Sequence, residues 1–128
     1  MLALMRSAPG SPSLVVHDGE VPDGASPPYV VVYFDDADPE LPDSRPVDGQ
    51  PKRFVLRVYA HCVGGHAIAA RAVSQRVRGV LLGVRPTVSG RKCFPIRREE
   101  GQAPQPDETT GRMVMDKIDL YRLESEPA

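Results

Sequence analysis

Between residues 51 and 98 the chain carries no aspartate and no glutamate. Aromatic residues are scarce, at 5% of the sequence, and there are only 2 cysteines. Long apolar runs are missing too. The longest stretch free of Asp, Glu, Lys and Arg, Val58 to Ala70, is too short to cross a membrane as a helix and holds two glycines and two histidines. The opening Met1-Leu2-Ala3-Leu4-Met5-Arg6 lacks the basic-then-apolar order of a secretion signal. These absences lead us to expect a soluble, unsecreted protein with no membrane partner. Cys62 and Cys93 fall on separate predicted strands, which a disulfide would link only if they were neighbours with matching facing. Reduced thiols are the default for an intracellular chain.

The most informative stretch runs from Phe54 to Val84. Phe54 to Val63 is rich in β-branched and aromatic residues, as a strand requires. Gly64-Gly65 interrupts it. From His66 the period changes: Ile68, Ala69, Ala72, Val73, Val77, Val80 and Leu81 recur at helical spacing, with Arg71, Ser74, Gln75 and Arg78 on the other side. Gly83 stands where a helix-ending glycine is expected, and Pro86 forbids a return to helix. A strand feeding an amphipathic helix implies one layer of sheet with one helix packed on it.

The other segments are read as completing that sheet. Tyr29-Val30-Val31-Val32-Tyr33-Phe34 is six β-formers without a charge, which predicts a central strand buried on both faces. Leu14 to His17 reads as a short strand ended by Asp18-Gly19. Residues 91–97 read as a strand demoted to an edge by Pro95. Met113 to Leu123 reads as a half-buried final strand with a bulge or facing change near Asp116 to Asp119. Residues 1–13 are a short apolar stub and loop, the stub being either the last turns of a helix or a disordered start. With 128 residues, 14 Pro and 11 Gly, the expectation is a single α+β domain spanning residues 1–128. It has a mixed or antiparallel sheet of about four to five strands, one main helix and long polar loops over residues 35–52 and 98–112. Because the first of these joins two sheet-like strands, a long hairpin arm is plausible.

Formal net charge is −1, but it is strongly sorted. Residues 1–50 hold 2 basic and 9 acidic side chains, residues 51–98 hold 11 basic and none acidic, and residues 99–128 hold 3 basic and 8 acidic. Either the blocks interleave in three dimensions and cancel, or acidic loops of one protomer meet the basic face of a neighbour.

Known reaction chemistries leave no pattern in the chain. His61 and Cys62 are successive strand residues, so they point to opposite faces and cannot share a zinc ion, and His66 with Cys93 leaves too few ligands. No carboxylate or oxyanion hole marks a Cys–His nucleophile. Asp35-Asp36-x-Asp38-x-Glu40 lacks the central glycine and closing glutamate of a calcium loop. Gly64-Gly65 and Gly79 to Gly83 match no phosphate-binding pattern. The arginines of the basic block have only Tyr59 and Phe94 as nearby aromatics and no nucleic-acid reader motif. The expectation is therefore no catalytic, metal or cofactor site, and a scaffold or assembly role.

The colinear order of segments carries a resemblance. Val21-Pro22-Asp23-Gly24-Ala25-Ser26-Pro27-Pro28-Tyr29-Val30-Val31-Val32 comes first. His61-Cys62-Val63-Gly64 then opens an Ala-Arg-Ala-Val-x-x-x-Val-Arg helix. Cys93-Phe94-Pro95-Ile96-Arg97, a Gln-x-Pro-x-x-Asp-Glu loop and Met113 to Leu123 follow. From about Asp18 to Ser125 this resembles the tail terminator proteins of long-tailed (siphovirus-type) phages of actinobacteria. The resemblance implies a small α/β sandwich-like fold and a homohexameric ring at the head-proximal end of the tail tube, in the virion. That ring would stop polymerisation of the major tail tube protein and present a surface to the head-side connector or stopper. DNA would pass through its lumen without specific contact. The chain departs from the family at its N-terminus, where the stub is shorter than the expected first helix. Under this reading the subunit and tube interfaces would draw on Asp35, Asp36, Asp38, Glu40 and Asp43 in the first loop. Arg71 and Arg78 on the helix would contribute, as would Arg97, Arg98, Glu99 and Glu100 at the second loop. A head-closure, stopper or minor tail protein would share the composition. A small intracellular enzyme or ligand-binding domain is the outside alternative.

Overall fold

A computed structural model describes residues 1–8, 14–37, 53–108 and 113–127. Its organising element is β7 (Val114–Pro127), a 14-residue strand. Along one side β7 pairs antiparallel with β3 (Phe54–Gly64), from Phe54 opposite Ser125 to Gly64 opposite Met115. Along its other side three short strands follow one another: β4 (Arg91–Cys93), β5 (Arg97–Gly101) and β6 (Gln105–Asp107). Beyond β3 lie β2 (Tyr29–Ala37), antiparallel to it, and β1 (Val16–Asp18), parallel to β2. The sheet is thus mixed, with order β1-β2-β3-β7-β4 and β5 and β6 also on β7.

An α+β domain with one main helix is what the sequence predicts, but the described residues form seven strands rather than four or five. The difference lies mostly in residues 98–112. Arg98-Glu99-Glu100 has no apolar alternation and reads as loop, yet with Arg97 and Gly101 it forms β5, with a bulge between Arg98 and Glu100. The exposed edge of β7 supplies the partner that local propensity does not. Pro95 splits the strand expected over residues 91–97: β4 stops at Cys93 and β5 begins at Arg97. Strand β2 is not the centre of the sheet. It is second from the edge, and its end emerges, with Tyr33 44% and Phe34 38% exposed. β7 pairs with β3 without a register shift. What changes along β7 is which face is buried, from Val114 at an even position to Asp119, Tyr121 and Leu123 at odd ones. The register of β2 on β3 continues to Ala37 opposite Val55, as a hairpin requires, and the connecting residues 38–52 lie outside those described.

Helix α2 (Ala67–Leu81) covers β3 and β7 on one face. His66 caps its start: its extended backbone (φ −152°) leaves the helix, and Nδ1 accepts the Ala69 N–H at 3.2 Å. Gly83, at φ +79°, ends it, and the Gly83 N–H then bonds Ile96 O while the Ile96 N–H bonds Val84 O, each at 2.9 Å. Gly64 is required for a different reason. A Cβ there would lie 2.4 Å from the Ala70 nitrogen, so only glycine lets the helix start descend onto the strand end. The buried stripe is Ala70, Val73, Ser74, Val77 and Leu81. The sequence places Ile68, Ala69 and Ala72 on that stripe and Ser74 outside it. The structure reverses this, leaving Ile68 69% exposed and burying Ser74 against a carboxylate of β7.

The core lies between α2 and the sheet and is built from Val30, Val32, Val58, Ala60, Cys62, Val73, Val77, Tyr121 and Leu123. Removing the valine and leucine side chains of this set from water contributes roughly 1.5–3 kcal/mol each. The N-terminal stub is a five-residue helix, α1 (Leu2–Arg6), whose Met5 is fully buried in the same core. Cys62 and Cys93 are both buried and free. Among the described residues no helix is long and apolar enough to cross a membrane.

Candidate interaction surface

Neither helix packs on the other face of the sheet. One end of that face is closed by the chain between β1 and β2, where Val21 and Ala25 pack on a small buried cluster of Tyr29, Val31, Val63 and Val114. Its middle carries Tyr59, His61, Ile118 and Leu120, which with Glu100 and Gln102 line a shallow depression of about 190 Å³. Towards the closed end a second cleft, about 260 Å³, is bordered by Glu20, Asp23, Tyr33, His61, Asp107 and Asp116. His61 is common to both.

Alternation places His61 on this face, between Ala60 and Cys62, which are fully buried beneath α2. Its Nδ1 lies 2.9 Å from Asp116 Oδ2, and its ring meets Tyr33 edge to face, with centroids 5.1 Å apart. A carboxylate only accepts, so Nδ1 carries the proton and Nε2 points away from Asp116. The second oxygen of Asp116, Oδ1, is buried and accepts no hydrogen bond.

The opposite end of the same face is electrically balanced. Glu124 receives Arg122 at 2.8 Å, Arg97 at 3.4 Å and Arg53 at 3.8 Å, and Arg122 also reaches Glu99 at 3.1 Å. Pairing β7 with β3 and β5 therefore brings the acidic C-terminal block against the basic block, and part of the sorted charge cancels within one chain. The cancellation is local. Glu20 and Asp23 are exposed at the other end, and α2 presents Arg71 to solvent.

Beneath α2 lies a buried polar cluster. Asp119, fully buried, accepts Lys117 Nζ at 2.6 Å and Arg98 Nη2 at 2.8 Å on Oδ1, and Ser74 Oγ on Oδ2. Burial pushes this carboxyl up, but the hydrogen bonds from Lys117, Ser74 and Arg98 outweigh it and hold the group below the usual carboxylate range. The same surroundings push the Cys62 thiol up, through burial first and the Asp119 charge second. Tyr121 is pushed up for the same two reasons, and its hydroxyl has no hydrogen-bond partner. Cys62 is thus a protonated core thiol on the face opposite His61.

The residues singled out from sequence are scattered. Asp35 is exposed at the end of β2; Asp36 lies in the same strand; Asp38, Glu40 and Asp43 lie outside the described residues. Arg71 is exposed on α2 and Arg78 half-buried there. Arg97 and Glu99 take part in the ion pairs around Arg122 and Glu124, and Glu100 lines the central depression. Arg98 turns inward to Asp119. The sequence reading missed the helix-free face with its His61–Asp116 pair. Asp116 and Asp119, three apart in one strand and hence on opposite faces, were the available signal. Among the described residues no group of three or more His, Cys, Asp or Glu side chains is placed to hold a metal ion. No family model and no curated protein matches the chain.

Proposed function

We propose that this protein is a structural part of a phage tail, a tail terminator that forms a ring at the head-proximal end of the tube and stops its growth. One observation supports the reading beyond the resemblance: among the described residues both helices pack on one side of the sheet and none packs on the other. An antiparallel sheet can keep one face toward solvent, and such a face, here with Tyr33 exposed and Tyr59, Ile118 and Leu120 half-buried on it, is also a place where a second molecule can dock. The mixed sheet with a helical layer agrees with the fold the resemblance implies. The ring would be homohexameric, in contact with the major tail tube protein on one side and the head-side connector on the other. DNA would pass through its lumen without sequence-specific contacts. On this reading the His61–Asp116 pair shapes a contact surface rather than performing a reaction, because its neighbouring thiol, Cys62, faces away and stays protonated.

The test is the solution mass of the purified protein with and without tail tube protein, together with tube lengths by electron microscopy. A ring that forms alone or on tube ends, with tubes no longer extending, is the expected result. A monomer that leaves tube growth unchanged overturns the proposal. Binding to connector but not to tube would move the assignment to a head-closure or stopper protein.

A further inference from the structure

Helix α2 has a second face that the core does not use. Opposite its buried stripe, Ile68, Ala72, Gln75, Gly79 and Leu82 follow one another at helical spacing, all exposed, with Ile68 at 69% and Leu82 at 49%. Ala72 and Gly79 are small, so the helix surface sinks between them into a groove of about 440 Å³ bordered by Gln75, Arg76 and Val80. The charge beside this groove is of one sign. Arg71 is exposed, and Arg76 is half-buried, its Nε and Nη2 lying beneath the surface without a hydrogen-bond partner. No carboxylate occurs anywhere between residues 51 and 98 to balance them.

The helix-free sheet face has the converse character. Its acidic cleft presents Glu20 and Asp23 to solvent around Tyr33, an exposed aromatic side chain of a size that fills a groove between small residues. We infer that this face is the docking site for a second copy of the same chain, which enters with the outer face of α2. Arg71 and Arg76 then meet Glu20 and Asp23, while Tyr33 seats against Ala72 and Gly79. A second copy is the occupant because one chain supplies both halves, of opposite sign and complementary relief. The two surfaces are different and lie on opposite sides of the sheet, so the contact is head-to-tail rather than two-fold. Repetition then gives a closed ring if each step rotates and a filament if it does not. This names the subunit contact of the ring proposed above, although it stands or falls separately.

The experiment is a charge exchange on exposed positions, chosen so that the fold is undisturbed. One variant carries Glu20→Lys and Asp23→Lys, the other Arg71→Glu and Gln75→Glu. Sedimentation velocity at low salt follows the wild type, each variant alone and their equimolar mixture. The wild type self-associates and weakens with added salt, as exposed charge pairs do. Each variant alone loses about tenfold or more in self-affinity. The mixture regains the wild-type mass, because each reversed surface finds a reversed partner. A monomeric wild type, a variant that still associates alone or a mixture that stays monomeric overturns the inference. So does a variant that loses only tube protein while still self-associating. Tube capping by a protein whose association ignores these substitutions would leave the terminator reading standing and this contact refuted. Rescue by mixing without capping would do the reverse.

Discussion

Replacing Asp119 by alanine tests the electrostatics of the interior most directly. The carboxylate is fully buried and accepts from Lys117, Arg98 and Ser74, while Lys117 and Arg98 keep 12% and 29% of their side-chain surface. Removing it leaves a buried hydroxyl without its acceptor and two cations facing each other across the gap. Breaking a buried pair by deleting one partner costs about 3–5 kcal/mol, and the partial exposure of the two cations places the loss near 3. With a urea slope of about 2 kcal/mol per molar, the midpoint should fall by about 1.5 M at pH 7. The loss should also depend on pH, with a defined sign. Asp119 is held below its ordinary value of 3.8, so the carboxylate's contribution is complete above that value and disappears as pH falls through the lower folded value. Wild type and Asp119→Ala should therefore converge in strongly acidic solution. Asp119→Asn, which keeps shape and one acceptor, should fall between them at pH 7 and lose the pH dependence. A loss under about 1 kcal/mol at pH 7, or a difference that persists undiminished at pH 2, would refute the argument.

Two further outcomes follow from packing. Gly64→Ala places a Cβ 2.4 Å from the Ala70 nitrogen and should cost roughly 1–3 kcal/mol or more in thermal unfolding, whereas Gly65→Ala, with nothing within 4 Å, should change little. Equal effects at the two positions would show that α2 does not descend onto β3 as described. Cys62, fully buried with its thiol pushed up, should resist a thiol reagent at neutral pH and react only as fast as the native protein opens, which mass spectrometry of the labelled site would read. Rapid labelling under native conditions would contradict its place in the core.

How much of this was legible depended on whether the partner was near in sequence. The strand ending at Val63 and the helix beginning near His66 are local facts: β-branched residues, then a glycine pair, then apolar residues at helical spacing, and both elements occur where expected. Ser74 was not legible. A serine among arginines and glutamine reads as surface, and it is buried only because Asp119, 45 residues later, meets it. Residues 98–101 read as loop for the same reason, since nothing apolar marks them and their strand exists by virtue of the edge of β7. The six apolar residues from Tyr29 to Phe34 announced a strand correctly but not its rank in the sheet, which β1 and β3 decide. For the candidate surface, the sorted charge was visible as composition. The pairings of Glu124 and Arg122, and the uncovered face that remains, needed the register of β7.

That strand also has a consequence for how the protein is made. β7 is the last in sequence of the seven strands formed by the described residues; β4, β5 and β6 pair with it alone, and β3, already paired with β2 on one side, finds in it the partner for its other edge. On the ribosome, β3 must wait with one edge open while the next fifty or so residues emerge, at about 5–20 residues per second. An apolar edge held open for seconds invites neighbouring nascent chains to pair with it. Here the waiting strand carries Arg57, follows Arg53 and contains no carboxylate, so the open edges of two unfinished copies bring like charges together, which disfavours their pairing.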